Sequence, residues 1–209
     1  LRVAAPLSFG LLHLSPAIDE FMREHPDLTI DVDFSDHKVD LVEQGMDLAI
    51  RIADLGDSSL QARRICPIRL VLCASPGYLE ERGIPTSPED LARHEILGYK
   101  LCDGPTIKLT NDRPGRLVVR PSSRVMANNG VFLRDMAVAG RGIAGLPTCS
   151  VWRSLAAGDL VQVLDSHKPA ALNAWAVYPR TRYLSLRARR FIDFIVERFG
   201  QEPFWDARD

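Results

Sequence analysis

A chain of 209 residues with 46% hydrophobic and 25% charged residues has the composition of an ordinary globular protein, large enough for one sizeable core or two smaller ones. Its 26 Lys and Arg against 27 Asp and Glu leave a net charge of −1, which argues against a chain that itself neutralises many phosphates. No charged-then-apolar leader opens the chain, no apolar run approaches the ~20 residues of a membrane span, and Cys66, Cys73, Cys102 and Cys149 form no CxxC pair, so reduced core cysteines in a cytoplasmic protein are expected.

Residues 1–4 read as a short apolar strand and 6–10 as a turn. A helix then runs to about His25 with Leu11, Leu14, Ile18, Phe21 and Met22 on one face, and Pro16 inside it predicts a kink or an irregular first turn. Residues 28–34 alternate, with Leu28, Ile30, Val32 and Phe34 set against Thr29, Asp31 and Asp33, as a half-buried strand does. Val39, Leu41 and Val42 can share one face of a short helix, with Gly45 where a C-cap needs positive φ. Leu48, Ala49, Ile50 and Ile52 form an apolar run broken by Arg51, the pattern of a strand covered on both faces. This β-α-β-α-β order predicts a parallel sheet with helices on its faces.

A second buried strand spans 70–74, after which Pro76, Gly77, Gly83, Pro85 and Pro88 punctuate short helical pieces and mark a change of subdomain. Residues 106–119 read as two strands about the turn NDRPG at 111–115. A helix over 130–139, a strand over 143–146 and a helix from Thr148 repeat the α/β rhythm, and a strand over 174–178 makes a return crossover. The final helix carries Leu184, Ala188, Phe191, Ile192, Ile195 and Phe199 and should pack back on the first subdomain. The expected organisation is a discontinuous first subdomain, 1–74 plus 179–209, and a second one over 75–178.

The chemistry-bearing residues are sparse. GRGIAG at 140–145 matches G-x-G-x-x-G, but it follows a helix and enters a strand, the reverse of a dinucleotide site, so a helix C-cap with close backbone packing is expected. The five histidines (His13, His25, His37, His94, His167) show no metal-ligand spacing and read as surface or turn residues; no cofactor is implied. No G-x-S-x-G elbow or paired carboxylate motif supports an enzyme. The arginines over 180–190 read as a solvated helix face. Ser8, Phe9 and Gly10 start a helix after a parallel strand, where unpaired N–H groups and the dipole favour an anion, or where Ser8 simply caps the helix. Asn128, Asn129 and Gly130 offer the same two readings, and Thr148 is a third such position. Arg51 could clamp a carboxylate or pair with Asp47 or Asp54, and Tyr99 could be an aromatic wall or part of the core.

Five segments also resemble, in order and spacing, the effector-sensing domain of LysR-type transcriptional regulators: LRVAAPLSFGLLHLSPAIDEFMREHPDLTI at 1–30, VDLVEQGMDLAIRIADLGDSSL at 39–60, VLCASPGYLEERGIPTSPEDLARHEIL at 71–97, NNGVFLRDMAVAGRGIAGLP at 128–147 and LSLRARRFIDFIVERF at 184–199. The resemblance implies an α/β, periplasmic-binding-protein-like fold of two Rossmann-like subdomains with a ligand cleft between them. It places Leu7, Ser8, Phe9, Ser35, Arg51, Ile52, Tyr99, Asn128, Asn129, Gly130, Pro147 and Thr148 around a small effector, one that the helix N-termini suit to a carboxylate. Some family members carry their cleft arginine one position later, where this chain has Ile52, and a one-residue shift in a strand reverses the face. The resemblance further implies a homodimer or tetramer, and DNA binding only through an N-terminal winged helix-turn-helix domain that is not among these 209 residues. A periplasmic solute receptor and, further off, an enzyme on this fold (a dehydratase or a tetrapyrrole-pathway transferase) are the alternatives.

Overall fold

The computed structural model describes residues 1–35, 40–54, 60–100, 107–110, 116–119, 123–179 and 184–207. The chain forms two compact units, Leu1–Ile68 with Leu172–Asp209, and Arg69–Ala171.

In the first unit, β1 (Arg2–Ala5) leads into a helical run made of α1 (Leu7–Phe9), a π-helical segment (Gly10–Leu14) and α2 (Ser15–Glu24). The helix therefore begins at Leu7, inside the stretch expected to be a turn. The irregularity expected from Pro16 takes the form of the π turn. Proline has no N–H and its ring collides with the carbonyl four residues back, and a widened turn just before it relieves both problems. The extra residue also breaks the predicted apolar face: Leu14 and Phe21 are buried, whereas Leu11 is 56% and Met22 39% exposed.

β2 (Asp31–Phe34) and β3 (Leu48–Ala53) flank β1 in parallel, and β4 (Leu60–Ile68) closes the far edge. The segment between β2 and β3 is a hydrogen-bonded turn over its described residues rather than a helix: the Asp40 carboxylate accepts the N–H groups of Val42 and Glu43, Leu41 is buried and Val42 exposed. Gly45 takes φ +64°, as its role as a turn terminator requires.

The second unit holds β5 (Leu70–Ala74), α3 (Pro76–Arg82), a 3₁₀ turn (Pro88–Arg93), β6 (Ile96–Tyr99), β7 (Ile107–Thr110), β8 (Arg116–Val119), β9 (Val125–Ala127), α4 (Gly130–Val138), β10 (Ile143–Pro147), α5 (Thr148–Ala156), β11 (Val161–Val163) and β12 (Lys168–Pro169). Its main sheet runs β11-β5-β10-β6-β9, with a small sheet β12-β7-β8 beside it. β5 is apolar throughout because successive residues serve different cores. Leu72 and Ala74 join Tyr78, Leu79 and Leu91, while Val71 and Cys73 join Leu133, Ala137 and Val151. The predicted hairpin is present as antiparallel β7 and β8, while NDRPG itself lies outside the described residues.

The chain returns to the first unit with β13 (Leu172–Pro179), which lies antiparallel between β3 and β4, and ends in α6 (Leu186–Phe199). The sheet β2-β1-β3-β13-β4 is thus mixed rather than parallel. The unit boundaries fall at Ile68/Arg69 and Ala171/Leu172, not at 74/75 and 178/179, because β5 pairs with β10 and β11 whereas β13 pairs with β3 and β4. α6 buries Ala188, Phe191, Ile192, Ile195 and Phe199, the face predicted for it except Leu184, which precedes the helix, and the Ser185 side chain caps its start by accepting the Ala188 N–H at 3.3 Å.

The GRGIAG stretch behaves as a terminator and a close approach. Gly140 has φ +72°, and a Cβ on Gly142 (φ +148°) would lie 2.4 Å from the Glu95 carbonyl oxygen. Cys66, Cys73 and Cys149 are buried thiols outside any disulfide, burial pushing Cys73 up to about 12; Cys102 lies outside the described residues. No helix among the described residues is long and apolar enough to cross a membrane.

Candidate functional site

Each unit gathers its share of the candidate residues at the carboxyl edge of its parallel strands, where ligands of open α/β sheets bind. In the first unit, β1 pairs Ala5 with Phe34 of β2 and Ala4 with Ala49 of β3, and the Ser35 N–H extends the ladder to the Ala5 carbonyl at 3.0 Å. Leu7, Ser8, Ser35, Arg51 and Ile52 are therefore at one sheet edge. Arg51 and Ile52, both half-buried, alternate across β3. Arg51 is opposite Trp175 and shares the face of Ala49; Ile52 is opposite Ala174. Asp47, one of the two structural partners considered for Arg51, accepts the Arg2 N–H at 2.9 Å and lies 3.5 Å from Arg187.

Ser8 is in the first helical turn rather than at the cap, which is Pro6. Its Oγ is buried and makes no hydrogen bond to the described residues. The Phe9 side chain is turned inward: it is 2% exposed, with ring centroids 5.4 Å from His13 and 5.6 Å from Phe199. Its side chain is core, which leaves its backbone N–H as the group that can meet a ligand.

In the second unit, β9 and β10 both run parallel to β6, with Tyr99 opposite Ala127. Tyr99, Asn128 to Gly130, Pro147 and Thr148 accordingly share one edge. The Asn129 side chain caps α4 by accepting the Phe132 N–H at 3.0 Å. Asn128, exposed and one residue earlier, has no hydrogen-bond partner among the described residues. Thr148 is buried, and its Oγ1 donates to the Arg69 carbonyl at 3.3 Å. Tyr99 packs against the core formed with Leu97, Leu133 and Leu146.

Two histidines are buried: His13, inside the helical run, is neither a surface nor a turn residue as expected, whereas His94 ends the 3₁₀ turn. His13 is 3% exposed, its ring tilted against that of Trp205 with centroids 4.3 Å apart; His94 is 7% exposed, and its Nδ1 is 3.2 Å from the Tyr78 hydroxyl, which also accepts the Glu95 N–H. Burial lowers the pKa of His94 and raises that of Tyr78. Among the described residues, no group of three or more His, Cys, Asp or Glu could hold a metal ion.

Residues 1–200 match the family model of the LysR substrate binding domain. The chain belongs to that family. It is 38% identical over 187 residues to an uncharacterized HTH-type transcriptional regulator of Haemophilus influenzae, covering 90% of this chain and 65% of that protein. It is 35% identical over 206 residues to the HTH-type transcriptional regulator PtxR of Pseudomonas aeruginosa, covering 98% and 65%. The regulatory domain of CrgA, a LysR-type regulator from Neisseria meningitidis, superposes with a TM-score of 0.82 at 30% identity, covering 96% of this chain and 98% of that one. These likenesses establish the periplasmic-binding-protein-like α/β fold of LysR-type regulatory domains. The chain spans 65% of the length of the two regulators it matches by sequence.

Proposed function

We propose that this LysR-type domain senses a small carboxylate-bearing effector for a cytoplasmic, homodimeric DNA-binding regulator whose helix-turn-helix lies elsewhere in the full protein. The domain needs no cofactor and performs no catalysis; it responds by binding. The observation that carries the ligand reading is the Ser8 hydroxyl, buried without a hydrogen-bond partner among the described residues, in the first turn of a helix that starts at the carboxyl end of a strand with parallel neighbours on both sides. An unsatisfied buried hydroxyl costs about 1–3 kcal/mol, a penalty that a ligand oxygen would remove. Helix-start N–H groups and their dipole select an anion as that ligand, each end contributing about 0.3–2 kcal/mol. Asn128, exposed at the carboxyl edge of the second unit's parallel strands, carries a side-chain amide that can donate or accept.

A thermal-shift screen of organic acids followed by calorimetry tests this. An anionic ligand should emerge, and Ser8→Ala and Asn128→Ala should each weaken it about threefold to thirtyfold without lowering helix content. A cationic best ligand, or affinities unchanged in both variants, refutes the assignment.

A further inference from the structure

The turn carrying Ser8 is joined to α2 by the weakest stretch of the helical run. Gly10–Leu14 is π-helical, with the Ser15 N–H reaching back to the Gly10 carbonyl, and hydrogen bonding of this kind is rare and mostly confined to single turns. The next residue, Pro16, contributes no N–H at all. On one side the Phe34 ring occupies the space a Cβ on Gly10 would need, at 2.3 Å. The orientation of Leu7–Phe9 is therefore left to tertiary contacts.

Those contacts come from the other end of the chain. After α6 the backbone turns, closed by the Asp206 N–H on the Pro203 carbonyl at 2.8 Å, and inserts Trp205, which is 5% exposed. Its ring lies 4.3 Å from His13, 5.6 Å from Phe199 and 6.2 Å, edge-on, from Phe9. A buried tryptophan ordinarily anchors its N–H. Here Trp205 Nε1 is buried with no hydrogen bond to the described residues, so packing alone locks the ring against the π turn.

We infer that Trp205 is a positioning residue for the effector turn: by clamping His13 and Phe9 it fixes where Ser8 Oγ and the Phe9 N–H point. This rests on the proposed role of Ser8 in effector binding. Affinity for the effector is thus set in part by a C-terminal side chain that need not touch it.

Hydrogen exchange followed by mass spectrometry, without ligand, tests the clamp. Trp205→Ala should speed exchange over residues 10–15 about tenfold, the scale of one aromatic pair lost, leaving β1, β3 and β13 as protected as before; Trp205→Phe should restore the protection. If Trp205→Ala does not fold, Trp205→Leu should show the same local loosening. Exchange unchanged over 10–15, or raised evenly through the first unit, overturns the inference. Calorimetry with citrate, malate and benzoate as probes supplies the second arm. A probe that binds the native protein should bind Trp205→Ala about tenfold more weakly and Trp205→Phe within about threefold, whereas equal affinities overturn the inference. If no probe binds the native protein, the exchange result alone decides the clamp, and the carboxylate reading is decided by the organic-acid screen.

Discussion

At the scale of single residues, several polar groups are decided by what their neighbours leave available. Asp90 shows this most clearly. Its carboxylate accepts the N–H groups of Thr86 and Ser87 and the Thr86 hydroxyl, each at 3.0 Å, at the start of the 3₁₀ turn. The Thr86 and Ser87 N–H groups, with the hydroxyl, hold it down to about 2. A carboxyl depressed in the folded state adds stability above its unfolded pKa, near 4, and loses it as pH falls through the folded value. Asp90→Ala should therefore lower the urea midpoint by a constant amount at neutral pH. The difference from the native protein should shrink between about pH 4 and pH 2, and a pH series of denaturation curves checks it. A difference that persists undiminished at pH 2 would assign the effect to packing instead.

Among the elements, β2 stands apart. Among the described residues it is an edge strand with one neighbour, β1, and it carries Phe34 at 39% exposure; Leu11 and Met22 on the adjacent helical run are also exposed. Long bare edges invite pairing, and an isologous contact between two copies is the commonest closed solution. Residues 29–33, with Arg23 and Glu24, are expected to lie near such a contact. Val32→Lys should shift the chain toward monomer at micromolar concentration while leaving its circular dichroism unchanged. Sedimentation velocity measures this, and a native chain that stays monomeric at high micromolar concentration refutes the interface. β4 on the opposite edge differs: Arg63 pairs with Asp193, Arg64 donates to Asn173 at 2.7 Å, and Pro67 takes an edge position where no ladder donor is required.

For the molecule as a whole, charge is the guiding quantity. A net charge of −1 with both signs interspersed gives little counterion release on DNA. This chain alone should bind duplex DNA weakly and without sequence preference, and filter binding at two salt concentrations measures it. Tight, selective binding would place a DNA-reading surface within these residues and refute the proposed division of labour. The family match fits this division, since regulators of the same family are about half as long again as this chain.

Local pattern was enough for much of this protein. The apolar runs of β3 and β5, the buried face of α6, the positive φ of Gly45 and the reversed order of GRGIAG depend on residues within one or two turns of each other, so the sequence alone determines them. The family resemblance was likewise legible from ordered segments. Pairing was not: β5 and β13 have the same apolar texture whichever sheet receives them, and only tertiary structure decided that β5 joins the second unit and β13 the first, which moved both boundaries. Nor could the sequence show that Phe9 and His13 are interior. The side chains that bury them, Phe199 and Trp205, lie nearly the whole chain away, and burial depends on what folds over a residue rather than on its own neighbours in sequence.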